Sequence, residues 1–176
     1  MKKPFLSLGL CAVFMLTLFV SADAQTKPAG ANFAGTWVLD KAKSELPQMM
    51  QNFDGVTWVI TQDDKEITKE QKFEGGPGGS RGMVGNVALT VKLDGSETST
   101  DAPRISGKRT AKANWQGDGK ILEVSAVTTG SFNGNEIKST TTEHWELAEG
   151  GKVLKVHQKV EGTRGSFEMK MVFNKK

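Results

Sequence analysis

The sequence predicts an all-β protein: an antiparallel up-and-down barrel of eight to ten strands with at most one short helix. Three observations carry this expectation. Apolar residues recur with a period of two along most of the chain from Phe33 onward, the mark of strands with one buried and one wetted face. Turn pairs that tolerate positive φ separate the alternating runs: Asp94-Gly95, Asp118-Gly119, Asn133-Gly134 and Gly150-Gly151. The composition, with 176 residues, 37% hydrophobic, 20 Gly and 5 Pro, provides one core and excludes collagen-like and Pro-rich classes.

Taken in order, residues 1–24 read as a secretory signal. Lys2 and Lys3 precede an apolar run from Phe5 to Val20, and Ala22-x-Ala24 supplies a small-residue cleavage site. The run is shorter than the roughly 20 residues a spanning helix needs, so a membrane anchor is the weaker alternative. Cys11 lies inside the run and not at its end, which argues against lipid attachment. The protein is expected to be exported, to the periplasm or beyond. Cleavage would remove its one Cys and leave stability to packing alone. Residues 25–32 are small and polar and read as a flexible leader. Residues 33–176 form the barrel domain.

Asp40 to Asn52 is the one stretch with loosely helical spacing, through Leu46, Met49, Met50 and Phe53. Pro47 suits only a first turn there, so the helix is expected to be short. Alternation then dominates. Val87, Leu89, Val91 and Leu93 share one face; Leu154, Val156 and Val160 share another; Phe167, Met169, Met171 and Phe173 share a third. A sequence echo marks hairpin units. Lys108, Thr110 and Trp115 match Lys138, Thr140 and Trp145 in spacing, and each Trp is followed by a Gly-Lys turn and an alternating strand. Trp58 with Lys65-Glu66-Ile67 is a weaker third copy. Duplication and convergent hairpin chemistry both explain the echo; two clear copies are too few for a solenoid.

The non-core face carries Lys108, Lys112, Lys155 and Lys159. Each would cost about 2–4 kcal/mol at a bilayer midplane, so no membrane span is expected in the mature chain. The formal charge of +3 makes no case for nucleic acid.

Catalytic constellations are not found, and the chain is read as a non-enzyme without metal or cofactor. It has no Tyr and only two His, His144 and His157, both on wetted faces by parity. No Gly-x-Ser-x-Gly, His-x-His or Glu-x-x-His is present. The run from Gly75 to Gly82 is Gly-rich but lacks the Lys-Ser/Thr and following helix of a phosphate loop, and reads as a flexible hairpin loop at one barrel mouth.

Polarity on the inward face is the more informative feature. Parity from Trp115 places Ala113, Ala111 and Arg109 inside; parity from Trp145 places Glu143, Thr141 and Ser139 inside; Gln158 interrupts an apolar strand face, and Gln71 is in step with Ile67 and Phe73. Unpaired buried polar groups cost on the order of 1–3 kcal/mol each, so a dry core would not hold them. Either Arg109 pairs with Glu143 in a closed network, or the barrel holds a cavity that is apolar in part and polar at defined points.

The run Phe33-Ala34-Gly35-Thr36-Trp37-Val38-Leu39-Asp40, with Ser44 four residues on, resembles the opening strand of calycins. Lipocalins carry Gly-x-Trp there, and intracellular fatty-acid-binding proteins start with a similar Phe-x-Gly-x-Trp-x-Leu run. The chain looks most like small exported bacterial lipocalin-like proteins. The resemblance implies a structural role for Gly35 and Trp37, with Trp37 plugging one barrel end. Two departures stand out. Lipocalins often pair the opening Trp with an Arg near the last strand, where this chain has only Arg164. Fatty-acid-binding proteins anchor a carboxylate with Arg-x-Tyr near the C-terminus, where this chain has Met171-Val172-Phe173.

Together these readings predict an exported barrel that binds a small hydrophobic or amphipathic ligand non-covalently in its interior. Trp58, Trp115 and Trp145 would give apolar surface, and Arg109, Glu143 and Gln158 polar contacts. The competing reading is a structural or protein-interaction module of the cell envelope with a filled core.

Overall fold

The computed structural model describes residues 30–75, 87–102, 105–163 and 165–176, apart from the side chains of Met49, Val87 and Phe132. Ten strands follow one another: β1 (Gly35–Leu39), β2 (Gly55–Gln62), β3 (Glu66–Glu74), β4 (Val87–Lys92), β5 (Thr98–Ala102), β6 (Gly107–Gln116), β7 (Ile121–Phe132), β8 (Asn135–Ala148), β9 (Val153–Gly162) and β10 (Gly165–Lys175). They form one antiparallel sheet in the order β4-β3-β2-β1-β10-β9-β8-β7-β6-β5. The first and last strands pair through Trp37 with Lys175, Val38 with Asn174 and Leu39 with Phe173, which bends the meander round on itself. The remaining seam lies between β4 and β5, which share no ladder. The Thr98 hydroxyl, placed there, donates to the Thr90 carbonyl (2.7 Å) and has the Ala111 carbonyl within 3.2 Å as a second acceptor.

The predicted turn pairs sit where they were expected. Asn133 and Gly134 close the β7–β8 hairpin with φ of 53° and 77°, the left-handed values such a two-residue turn demands. One end of the barrel, the floor, gathers the β2–β3, β4–β5, β6–β7 and β8–β9 turns. The opposite end, the mouth, holds the β1–β2 connection and the other hairpins.

The expected helix from Asp40 to Asn52 is broken into pieces. A 3-10 turn covers Lys41–Lys43, the chain then runs extended, and a single turn of helix, α1 (Gln48–Gln51), follows. Pro47 disfavours helical backbone at the residue before it. The freed stretch pairs instead with the last strand: Glu45 N–H donates to the Lys170 carbonyl (2.8 Å) and Lys170 N–H to the Glu45 carbonyl (3.1 Å).

The opening motif has a local physical account. Asp40 accepts from the Lys43 amide (3.3 Å) and from the Asn174 side chain (3.2 Å). The Ser44 hydroxyl donates to the Asp40 carbonyl (2.7 Å) and accepts from the Val172 amide (2.9 Å). Asp40 and Ser44 thus tie the first strand to the last. Gly35 (φ 144°) lies against the Lys175 side chain, whose ammonium sits 5.1 Å from the Trp37 ring centre. A Cβ at Gly35 would stand 2.7 Å from Lys175 Cε, so glycine keeps the space this cation needs. Arg164, the cation considered for this role, lies outside the described residues.

Candidate functional site

Strand alternation lays two kinds of residue inside the barrel. The floor half is aromatic. Phe33, Trp37, Trp58, Trp145 and Phe173 are all buried. Phe33 stacks on Trp115 at 6.0 Å and meets Trp145 edge-on at 5.7 Å; Trp58 lies 4.5 Å from Phe173 and 5.5 Å from Trp145. The Trp37 indole donates to the Phe33 carbonyl (2.8 Å), which fixes the plug. Ala31, at the end of the expected leader, donates its amide to the Gly119 carbonyl (2.8 Å) and accepts from the Gln62 side chain (3.0 Å).

The mouth half is polar and hollow. A cavity of about 410 Å³ is lined by Lys69, Gln71, Leu89, Ile105, Arg109, Ala126, Thr128, Ile137, Ser139, Thr141, Glu143 and Gln158. Every residue that parity placed inward at Arg109, Gln71, Ser139, Thr141, Glu143 and Gln158 lies on its wall. The three tryptophans expected to give apolar surface are not on this wall. Trp58 and Trp145 belong to the packed floor, and Trp115 instead borders a cleft at the floor end. The reason is steric: the large rings interlock with one another and leave space only where the inward side chains are shorter. The floor-end cleft is larger, about 790 Å³, but its walls are exposed turn residues such as Asp63, Asp64, Lys65 and Asp94, so it is a surface groove and not an interior site.

The closed pair of Arg109 with Glu143 is not what the fold builds. Glu143 pairs with Lys69, whose ammonium donates to both carboxylate oxygens at 2.8 Å. Both residues are only 5% exposed. Glu143 also accepts from the Trp145 indole (2.8 Å), and the Lys69 ammonium lies 4.1 Å from the Trp58 ring centre and 5.3 Å from that of Trp145. Carboxylate and aromatic faces together replace the water this cation loses. Among the described residues Arg109, two residues into β6 from the mouth, makes one longer bond, from Nε to the Thr128 hydroxyl (3.3 Å). Lys69 is a cavity-wall residue that the sequence reading does not single out. Its signal was present, since 67, 69, 71 and 73 form one alternating face. A lysine between Ile67 and Gln71 invites assignment to the wetted side, and only its partner, 74 residues on, makes it an interior residue.

The two histidines lie on the outer face. His144 Nε2 is 3.1 Å from a Glu123 carboxylate oxygen, His157 Nε2 is 3.4 Å from one of Glu168, and both side chains are more than a third exposed. Among the described residues no cluster of His, Cys, Asp and Glu could hold a metal ion. The positions expected for a C-terminal Arg-x-Tyr anchor are occupied by Met171 and Phe173, both buried in the core. The Gly-rich run beyond Gly75 lies outside the described residues.

No protein-family model matches the chain, and no curated protein sequence matches it. A solved structure does: the zebrafish ileal bile acid-binding protein complexed with cholic acid, with a TM-score of 0.50 and 15% sequence identity, covering 82% of this chain and 98% of that one. The likeness is one of fold. In this chain it is a ten-strand antiparallel meander closed through β1 and β10. Among the described residues no helix is long and apolar enough to cross a membrane.

Proposed function

We propose that the protein binds a small, partly apolar molecule non-covalently in the mouth half of the barrel. The observation that carries this reading is the interior cavity of about 410 Å³. Ligand sites are concave spaces of about 300–1,000 Å³ with apolar walls and a few placed polar groups. Leu89, Ile105, Ala126 and Ile137 supply the apolar part; Arg109, Gln71, Gln158 and the hydroxyls of Thr128, Ser139 and Thr141 supply the polar part. A solved structure of similar fold is a bile acid-binding protein complexed with cholic acid, which supports small-molecule binding by this fold. The competing module with a filled core fits the floor half alone. Export is part of the same proposal and rests on the N-terminal sequence pattern; N-terminal sequencing of the mature protein tests it, with a start at Gln25 expected.

Native mass spectrometry of protein purified from its own host tests the binding reading. A reproducible adduct that Arg109→Ala weakens is the expected result. Bare protein in every preparation would favour the filled module.

A further inference from the structure

Non-covalent binding leaves one reactive group of the cavity unused. Lys69 is the buried lysine among the described residues, and an amine is a nucleophile once it gives up its proton. A carboxylate, Glu143, touches the ammonium through both oxygens at 2.8 Å. That spacing is the hydrogen-bond reach of a nucleophile and the base that can take its proton. Trp58 and Trp145 present their faces to the same nitrogen at 4.1 and 5.3 Å. Both Lys69 and Glu143 are on the wall of the 410 Å³ cavity, so a small molecule inside it meets the amine and its acid–base partner together.

We infer that Lys69 forms a reversible imine with a small apolar aldehyde. Lys69 passes a proton to Glu143, and the free amine attacks the carbonyl carbon, forming the C–N bond. The nitrogen's proton moves to the carbonyl oxygen, giving a carbinolamine. Glu143 then returns its proton to the hydroxyl, which departs as water while the C=N bond forms. The products are a protonated imine on Lys69, a Glu143 carboxylate beside it, and one water. Charge is conserved, and no oxidant, reductant or further reactant enters. The cationic imine keeps the surroundings of the ammonium it replaces: one carboxylate and two aromatic faces. An aldehyde, with a single substituent on its carbonyl carbon, suits a nitrogen crowded by Glu143 and Trp58. Its apolar body would lie against Leu89, Ala126 and Ile137. The inference rests on the proposed function in one respect, that a small molecule enters this cavity.

The experiment uses the full chain with cinnamaldehyde at equimolar concentration, cyanoborohydride to reduce any imine, and peptide mapping by mass spectrometry. One reduced adduct per chain is expected, with Lys69 labelled roughly tenfold above the average surface lysine. The bound aldehyde should absorb at longer wavelength before reduction, as a protonated conjugated imine does. Lys69→Arg keeps the charge and the pair with Glu143 but cannot form an imine, and should lose both signals while staying folded by circular dichroism. Label spread evenly over the lysines, and unchanged in Lys69→Arg, overturns the inference. Quenching of tryptophan fluorescence by cinnamaldehyde without a Lys69 adduct also overturns it, but leaves non-covalent binding standing. Neither quenching nor adduct overturns the imine, and with bare protein in native mass spectrometry the binding reading falls as well.

Discussion

Glu143→Gln is the perturbation that tests the interior most directly. The substitution preserves shape and removes the charge. Glu143 accepts two hydrogen bonds from Lys69 and one from the Trp145 indole, all at 2.8 Å. The amide offers one acceptor oxygen in place of two and sets an N–H₂ against groups that are themselves donors. The Lys69 ammonium, 5% exposed, is left without its counter-charge. Breaking a buried pair in this way costs about 3–5 kcal/mol. In a domain of this size each kcal/mol is roughly 2–4 °C of melting temperature, so the fall is on the order of 10 °C. Replacing both partners, as Lys69→Met with Glu143→Gln, removes the stranded cation, so the double variant should recover most of the loss. Urea unfolding of the four proteins, with m-values checked for constancy, gives the coupling energy. The exposed pair of Lys170 with Glu45, at 62% and 73% side-chain exposure, is the control and should show almost no coupling. A Glu143→Gln loss below about 1 kcal/mol, or a coupling no larger than the control's, would refute the claim that this pair is desolvated and structural.

Other outcomes follow from neighbouring features. Phe33→Ala removes a fully buried ring that touches Trp115 and Trp145, and should cost about 3–5 kcal/mol in the same unfolding assay; a surface-like change would show that the floor is not a packed plug. Trp145→Phe should cost more than Trp58→Phe, because the Trp145 indole N–H bonds Glu143 while that of Trp58 is, among the described residues, the buried side-chain donor without an acceptor. Equal losses would contradict this. Hydrogen bonding from the Asn174 side chain, the largest cause, holds the Asp40 carboxyl below its ordinary 3.8. A depressed folded-state value means stability that is present above 3.8 and lost as pH falls through the folded-state value; Asp40→Asn should flatten that acid limb, measured as urea midpoints across the acid range. Arg109→Ala, which gives up one 3.3 Å bond, should leave the melting temperature nearly unchanged while weakening retention of a bound molecule; an unchanged ligand profile would remove Arg109 from the site.

The fold was readable because a period of two is a local signal. Every strand that buries one face must alternate, and every tight hairpin needs residues that accept positive φ, so Asn133-Gly134 announces its turn without reference to the rest of the chain. Parity likewise carried Arg109, Gln71, Glu143 and Gln158 to the inner wall. Parity tells which side a residue is on, not how far along the axis it sits. The tryptophans and the polar residues were therefore assigned to one site, although they divide between floor and mouth. The segment from Asp40 to Asn52 looked helical because spacing is all that sequence shows there; the backbone of β10 offered Glu45 a better partner.

The sequence by itself determined the class, the direction of each strand's faces and the presence of polar groups inside a barrel, because alternation and turn chemistry act between residues close in the chain. Only the tertiary structure decided what those polar groups do. Lys69 and Glu143 stand 74 residues apart and on different strands, and nothing local distinguishes an interior lysine with a partner from a solvated one without. Their contact, with Trp58 against the ammonium and Trp145 against both partners, arises only when the sheet closes and brings β3 across from β8. Closure also sets the volume left between the ring-filled floor and the mouth, since that space depends on the sum of all inward side chains and not on any one of them.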